Sequence, residues 1–321
     1  MWSLAQLTAV LPQSARQILK ATSLKNTTST TEVGRDISTP SASGRNALST
    51  QLPVALEKMV FRKTHEHVGR RISVTPKNSS MQHLAYGRII LNATRPAESF
   101  STGERETGLI VLSGEATVTV NGKETALGRY DAIYIPLDSS VKVATATIVD
   151  LAEFSADVDN QYPLQVVRFA EISNDPGLRF STGGPGNRRH LNMLLAKNIQ
   201  AGRLIAGFTQ SEEGNWTSWP PHEHAAMLEE MYVYFDMPKP GYGIQLVYND
   251  SDYPELVTVV RDGDAVMMPR GFHPNVSVPG HRICFLWAMS AHREVEDRQF
   301  GVVNVQPGFD QGSSGLEAGQ K

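Results

Sequence analysis

From about Met59 onward the chain alternates short apolar runs with turn residues, the pattern of a β protein. Arg88–Asn92, Gly108–Leu112, Ala116–Val120 and Ala132–Ile135 are rich in β-branched and aromatic side chains, which suit a pleated, half-buried surface. Ser113-Gly114, Asn121-Gly122 and Leu127-Gly128 separate them. Asn121-Gly122 predicts a tight hairpin, because both residues tolerate the positive φ that a two-residue turn demands. A second series follows: Leu204–Thr209, Met231–Phe235, Ile244–Tyr248, Leu256–Val260, Ala265–Met268 and Ile283–Met289. Strands this short and evenly spaced predict an all-β sandwich or barrel rather than alternating α/β units.

The two series echo each other. Asp131–Pro136 and Asp264–Pro269 share the pattern Asp-Ala-aliphatic-x-aliphatic-Pro, 133 residues apart. Duplication of one small β-barrel is the economical explanation. It predicts an extension over 1–58, disordered or for targeting, an N-terminal barrel over 59–160 and a connector over 161–200. A C-terminal barrel over 201–300 and a tail over 301–321 complete the division. The halves differ chemically. Four residues past Pro269 stands His273, but four past Pro136 stands Ser140. Before the Leu109–Leu112 run lie Glu104, Arg105 and Glu106, with no histidine pair. Only the second copy is equipped to hold a metal.

Composition excludes more than it selects. The 321 residues are 40% hydrophobic and 20% charged with a net charge of −3, so no basic surface argues for nucleic acid or an anionic membrane. No run approaches the roughly 20 apolar residues that cross a bilayer. Cys284, in an apolar run, reads as a buried inert thiol, and a single cysteine fits intracellular residence, by default the cytoplasm. Residues 1–31 hold Arg16, Lys20 and Lys25 among Leu4, Leu7, Val10, Leu11, Ile18 and Leu19, with no acidic residue before Glu32. This resembles a weak mitochondrial presequence, but an unstructured extension, or a true start at Met59, is the preferred reading, since Ser/Thr-rich tracts of low hydrophobicity are commonly unstructured.

The candidate chemistry lies in His222-Glu223-His224, Glu229-Glu230 and His273. Histidines at i and i+2 of a strand face the same way. A carboxylate from the Glu229-Glu230 pair and a third imidazole complete a three-nitrogen, one-oxygen shell with positions left for water or substrate. Strand alternation puts Glu229 with Met231 and Val233, and Glu230 with Tyr232 and Tyr234. An apolar-face argument alone turns Glu229 inward. The other histidines, including His65-Glu66-His67, His83, His190, His281 and His292, lack such a constellation and read as surface or packing residues. Gly183–His190 is glycine-rich but lacks the strand-to-helix setting of a phosphate loop.

The pattern His-x-His, Glu, then Gly263-Asp264 through Pro269-Arg270-Gly271 to His273 resembles the cupin superfamily, with one residue of difference between Gly271 and His273. The longer text, Gly214–His224, Glu230–Tyr234 and Met268–Pro274, resembles the 5-deoxyglucuronate isomerases of inositol catabolism, and more distantly the 5-keto-4-deoxyuronate isomerases of pectin breakdown. The resemblance runs from about Met59 to Ala291. It implies two tandem cupin barrels of double-stranded β-helix or jelly-roll form, and Glu230 rather than Glu229 as the ligand beside His222, His224 and His273. It also implies zinc, although the donor set equally permits manganese, iron or nickel. Two features depart from it. The segment between His224 and Glu229 is short, and the tail Arg293–Pro307 differs from the family's usual ending.

The implied reaction moves a hydrogen between C1 and C2 of a small open-chain sugar acid, turning 5-deoxyglucuronate into 5-dehydro-2-deoxygluconate. Candidate bases are Glu229, Tyr232 and Tyr248. Candidates for the substrate carboxylate are Arg189 and Arg270, since a guanidinium binds it bidentately, and Gln245 is placed near the barrel mouth by strand position. Rival readings are the isomerase of another deoxyuronate, a cupin dioxygenase with redox-active iron, and a non-enzymatic sugar-binding cupin, which would lack a complete shell. Exposed sheet edges invite pairing, so a homo-oligomer is expected.

Overall fold

The structure, a computed structural model, describes residues 59–309. The extension over 1–58, with the presequence-like stretch 1–31, lies outside the described residues, as does the tail beyond 309. The chain is all-β, with one short helix, Phe169–Ile172, among the described residues. No helix there is long and apolar enough to cross a membrane.

The internal echo is a repeat of topology. A six-stranded sheet runs in the order Gln165–Val167, Ala132–Ile135, Arg105–Gly114, Val149–Asp157, Ala85–Leu91, Gly69–Val74. A seven-stranded sheet runs Val60–Phe61, Ala265–Met268, Leu228–Tyr234, Cys284–Ala291, Leu204–Ser211, Arg189–Leu195, Arg179–Thr182. Position by position the order recurs, with Arg179–Thr182 as the addition. Each large sheet has a four-stranded companion: Ala97–Ser101, Ser140–Ala144, Ala116–Val120, Lys123–Leu127 for the first, and Trp216–Thr217, Asn275–Ser277, Gly243–Val247, Leu256–Val260 for the second. The hairpin expected at Asn121-Gly122 joins Ala116–Val120 to Lys123–Leu127, with φ of 50° and 85° at the two turn residues.

The edge strands explain why the Asp-Ala motif repeats. Val60–Phe61, ahead of every strand of the first half, pairs with Ala265–Met268 of the second; Gln165–Val167 pairs with Ala132–Ile135. Each edge strand is followed by an arginine bound to the motif's aspartate: Arg62 to Asp264 at 2.7 Å and Arg168 to Asp131 at 2.8 Å. The next backbone amide, Lys63 or Phe169, binds the same carboxylate. So does the amide three residues ahead of each aspartate, Arg261 or Gly128. One acidic side chain thus closes the turn before its own strand and anchors the neighbouring one. The stretch 161–200 accordingly supplies strands to both large sheets.

A second repeated device joins the halves. Glu106, fully buried, accepts the backbone N–H groups of Gly202, Arg203 and Leu204 at 2.7 to 2.8 Å, and the Tyr134 hydroxyl at 2.6 Å. Glu229, equally buried, accepts those of Gln82, His83 and Leu84 at 2.5 to 2.8 Å. Each carboxylate therefore grips the three amides that lead into a central strand of the other half. Around these clamps one apolar cluster runs through both halves, including Tyr86, Phe154, Leu204, Met231 and Val233. A separate cluster, with Ile89, Leu91, Leu109, Val111, Val118, Ile133 and Val143, fills the first half with aliphatic side chains.

Replacing Glu229 with alanine should strand the amides of Gln82, His83 and Leu84. A loss of about 3 kcal/mol or more is expected in urea unfolding, since each charged hydrogen bond contributes about 1.5–3 kcal/mol. Glu106→Ala should cost a similar amount; a loss below about 1 kcal/mol at both positions would show that the clamps hold nothing together.

Candidate metal centre

The second half sets polar side chains among apolar ones in its interior, where the first is aliphatic. Leu228–Tyr234 and Cys284–Ala291 run side by side and turn Leu228, Glu230, Tyr232, Phe285, Trp287 and Met289 into one pocket. Thr209 from the adjoining strand Leu204–Ser211, Arg189 and Leu191 from the strand beyond it, and Ser218, His222 and His224 complete much of its wall. Phe300–Val303 supply the rest.

Three imidazoles gather at the pocket. Ring centroids lie 5.0 Å apart for His222 and His273, 5.4 Å for His224 and His273, and 6.3 Å for His222 and His224. Each Nδ1 faces a backbone carbonyl: Pro220 at 2.9 Å for His222, Leu228 at 3.1 Å for His224 and Gly271 at 2.8 Å for His273. A carbonyl only accepts, so every Nδ1 carries a hydrogen and every Nε2 is the atom left to bind. His224 Nε2 and His273 Nε2 both lie 3.0 Å from one oxygen of Glu230. His224, Glu230 and His273 offer ligand atoms within 4.8 Å of one another, a group able to hold a divalent ion.

The electrostatics fit that role. His273 Nε2 is buried, 3.0 Å from the Glu230 carboxylate. His224 already donates Nδ1–H to Leu228, so its bond to Glu230 needs a second proton on Nε2. Burial opposes that proton, but the Glu230 carboxylate raises the His224 pKa above the usual 6.5. For Glu230 burial works upward, and the imidazoles of His224 and His273 outweigh it, holding the carboxyl at about 2. Burial, then the proximity of His273, pushes His222 down to about 3, leaving a neutral imidazole. A cation at this point replaces a shared proton, and the nitrogen and oxygen donors are those divalent metals accept.

The other predicted residues divide. Arg189 lines the pocket, only 3% exposed, its guanidinium donating to the carbonyls of Trp219 at 2.6 Å and Asn187 at 3.1 Å. Burial lowers its pKa to about 10, still cationic at neutral pH. Tyr232 also lines the pocket, with its hydroxyl 2.6 Å from that of Ser218. Burial, reinforced by the Glu230 charge, raises its pKa, so it keeps its proton and is suited to donate rather than to act as a base. Glu229 points to the opposite face, occupied by three amides, and is no base for this pocket. Tyr248 is not in the pocket wall and spends its hydroxyl on Gln306 at 2.7 Å. Arg270 is turned out to solvent. Gln245 lies beneath the site rather than at its mouth. Its amide donates to the His273 carbonyl at 2.9 Å and accepts from Tyr234 at 2.5 Å, fixing the backbone that presents the third imidazole.

The tail was the main omission of the sequence reading. Asn304–Val305 forms a two-stranded ladder with His222–Glu223, pairing His222 with Val305 and Glu223 with Asn304. Gln306 N–H binds the Pro221 carbonyl at 2.9 Å, and Phe300 packs on Trp287 with ring centroids 5.2 Å apart.

The KduI/IolB family model matches residues 59–303. The 5-deoxy-glucuronate isomerase of Geobacillus kaustophilus is 26% identical over 245 residues, 69% of this chain and 84% of its own. The 4-deoxy-L-threo-5-hexosulose-uronate ketol-isomerase of Opitutus terrae is 29% identical over 205 residues, 61% of this chain and 70% of its own. Among solved structures, an IolB-like protein from Salmonella typhimurium LT2 superposes with a TM-score of 0.68 at 21% identity, covering 78% of this chain and 98% of that one. An oxalate decarboxylase variant from Bacillus subtilis reaches 0.55 at 13% identity, over 72% and 76% of the two chains. These place the architecture among cupin-like β folds; with its sequence matched from the first described strand through the pocket-lining tail, the chain belongs to the KduI/IolB family.

Proposed function

We propose that the protein is a metal-dependent aldose–ketose isomerase converting 5-deoxyglucuronate to 5-dehydro-2-deoxygluconate, built as two cupin barrels of which the second is active. The observation that supports this reading is the pair His224 and His273, each with Nδ1 tied to a carbonyl and Nε2 3.0 Å from Glu230, with the His222 ring beside them and its Nδ1 likewise tied. His222, His224, Glu230 and His273 would hold one divalent ion, taken to be zinc. When bound, it would supply positive charge against the oxygens on C1 and C2 as negative charge develops there.

The protein's own groups divide the remaining work. Arg189, buried and fixed in plane by two carbonyls, provides a rigid fork for the sugar-acid carboxylate. Tyr232 holds a proton at its hydroxyl beside Ser218, positioned to donate to a substrate oxygen. Leu191, Leu228, Phe285, Met289 and Phe300 exclude water and strengthen each of these interactions. The relatives named 5-deoxy-glucuronate isomerase support this choice of sugar.

Protein loaded with zinc should convert synthetic 5-deoxyglucuronate to a ketose, followed by proton NMR, without consuming oxygen. No product would overturn the substrate assignment and bring the 4-deoxy-5-keto acid forward; oxygen uptake would bring forward the dioxygenase. Arg189→Lys should raise KM by roughly tenfold or more, because an ammonium cannot make the paired bonds.

Metal analysis should give about one equivalent per chain, falling at least tenfold in Glu230→Ala and His224→Ala. Because His224 has its pKa raised above 6.5, the metal-free site holds a proton at lower pH that the ion must expel. Apparent affinity should therefore fall about tenfold per pH unit below that raised pKa, read by competition titration. An affinity flat between pH 8 and pH 5 would remove His224 from the shell.

A further inference from the structure

The pocket wall includes an indole that none of these roles uses. Trp287 stands on the central strand Cys284–Ala291, directly opposite Tyr232 on one side and Gly207 on the other. Gly207 makes room for it: a Cβ there would lie 2.4 Å from Trp287 Cζ2. Phe300 covers the other surface of the indole, tilted by 32°. The ring is 3% exposed and lines the pocket. Its Nε1–H is buried and finds no hydrogen-bond partner among the described residues.

A buried N–H without a partner is costly and rare, and demands an explanation. Among the described residues, other buried polar side-chain atoms also lack partners, but Trp287 Nε1 is the one whose side chain lines the pocket. Packing alone calls for apolar surface and gives no use for an unpaired donor. Indole is a donor only, so its partner must be an acceptor. Arg189 already supplies the positive charge suited to a carboxylate, and the histidine–glutamate group lies at the opposite chemical task. What remains on a small sugar acid is a chain hydroxyl.

We infer that Trp287 is a specificity-determining residue whose indole N–H donates to a hydroxyl oxygen of the sugar-acid substrate, with Gly207 and Phe300 fixing the ring. This deepens the isomerase reading and rests on it. The bond supplies discrimination in a wall that is otherwise mostly apolar. A site built to pair with a hydroxyl rejects analogues lacking it more strongly than an apolar wall rejects an added group.

The full chain contains four tryptophans, so a nitrogen-15 spectrum resolves few indole signals, and Trp287→Phe identifies the one that matters. In zinc-loaded wild type, adding 5-deoxyglucuronate should move that signal downfield, and Trp287→Phe should raise KM about tenfold with metal content retained. A signal that stays in place, whether or not the sugar is turned over, overturns the assignment. A shifted signal without ketose formation instead supports the donor and sinks the isomerase reading. Where Trp287→Phe fails to fold, Trp2→Phe, Trp216→Phe and Trp219→Phe assign the other three signals, and the remaining one decides the question.

Discussion

Two buried carboxylates, Glu106 and Glu229, hold this molecule in its working form. Each removes three amides of the opposite half from the list of unsatisfied donors, at the points where central strands begin. A charge buried this deeply survives only with several donors directed at it, and these have them. The consequence for the pocket is direct. Glu229 is fixed outward by its amides, so Glu230, next on the same strand, is fixed inward with the imidazoles. The clamp that fastens the halves also aims the ligand.

The two halves share a strand order but not their chemistry. The first half retains the strand order, the aspartate anchor and the glutamate clamp, and its interior is aliphatic, with Leu109, Val111 and Ile133 among its fillers. In the second half the corresponding space contains histidines, Glu230, Tyr232 and Arg189. A rigid apolar body beside a polar one is a reasonable platform for a site whose donors must be placed to fractions of an ångström.

Local chemistry made much of this legible. The Asn121-Gly122 turn, the Asp-Ala repeat and the histidine cluster each follow from residue types whose geometry is nearly forced. Face assignment on Leu228–Tyr234 was harder, because all seven residues are buried. With one face against the pocket and the other against the companion half, alternation carries no polar signal. The apolar-face argument placed Glu229 inward for that reason, and the likeness to known isomerases corrected it. Gln245 and Tyr248 were misjudged because their partners, the His273 carbonyl and Gln306, are remote in sequence. Trp287 was hidden in a run that reads as core, and only coordinates show that its nitrogen lacks company.

The ladder between His222–Glu223 and Asn304–Val305 couples distant parts of the chain. Unlike a zinc finger, whose ligands lie within one short loop, the segment bearing His222 finds its sheet partner about eighty residues downstream. A fragment ending before Phe300 would carry every proposed donor and still lack the strand that braces the first of them. The brace on His222 is therefore complete only when the chain has folded through Val305.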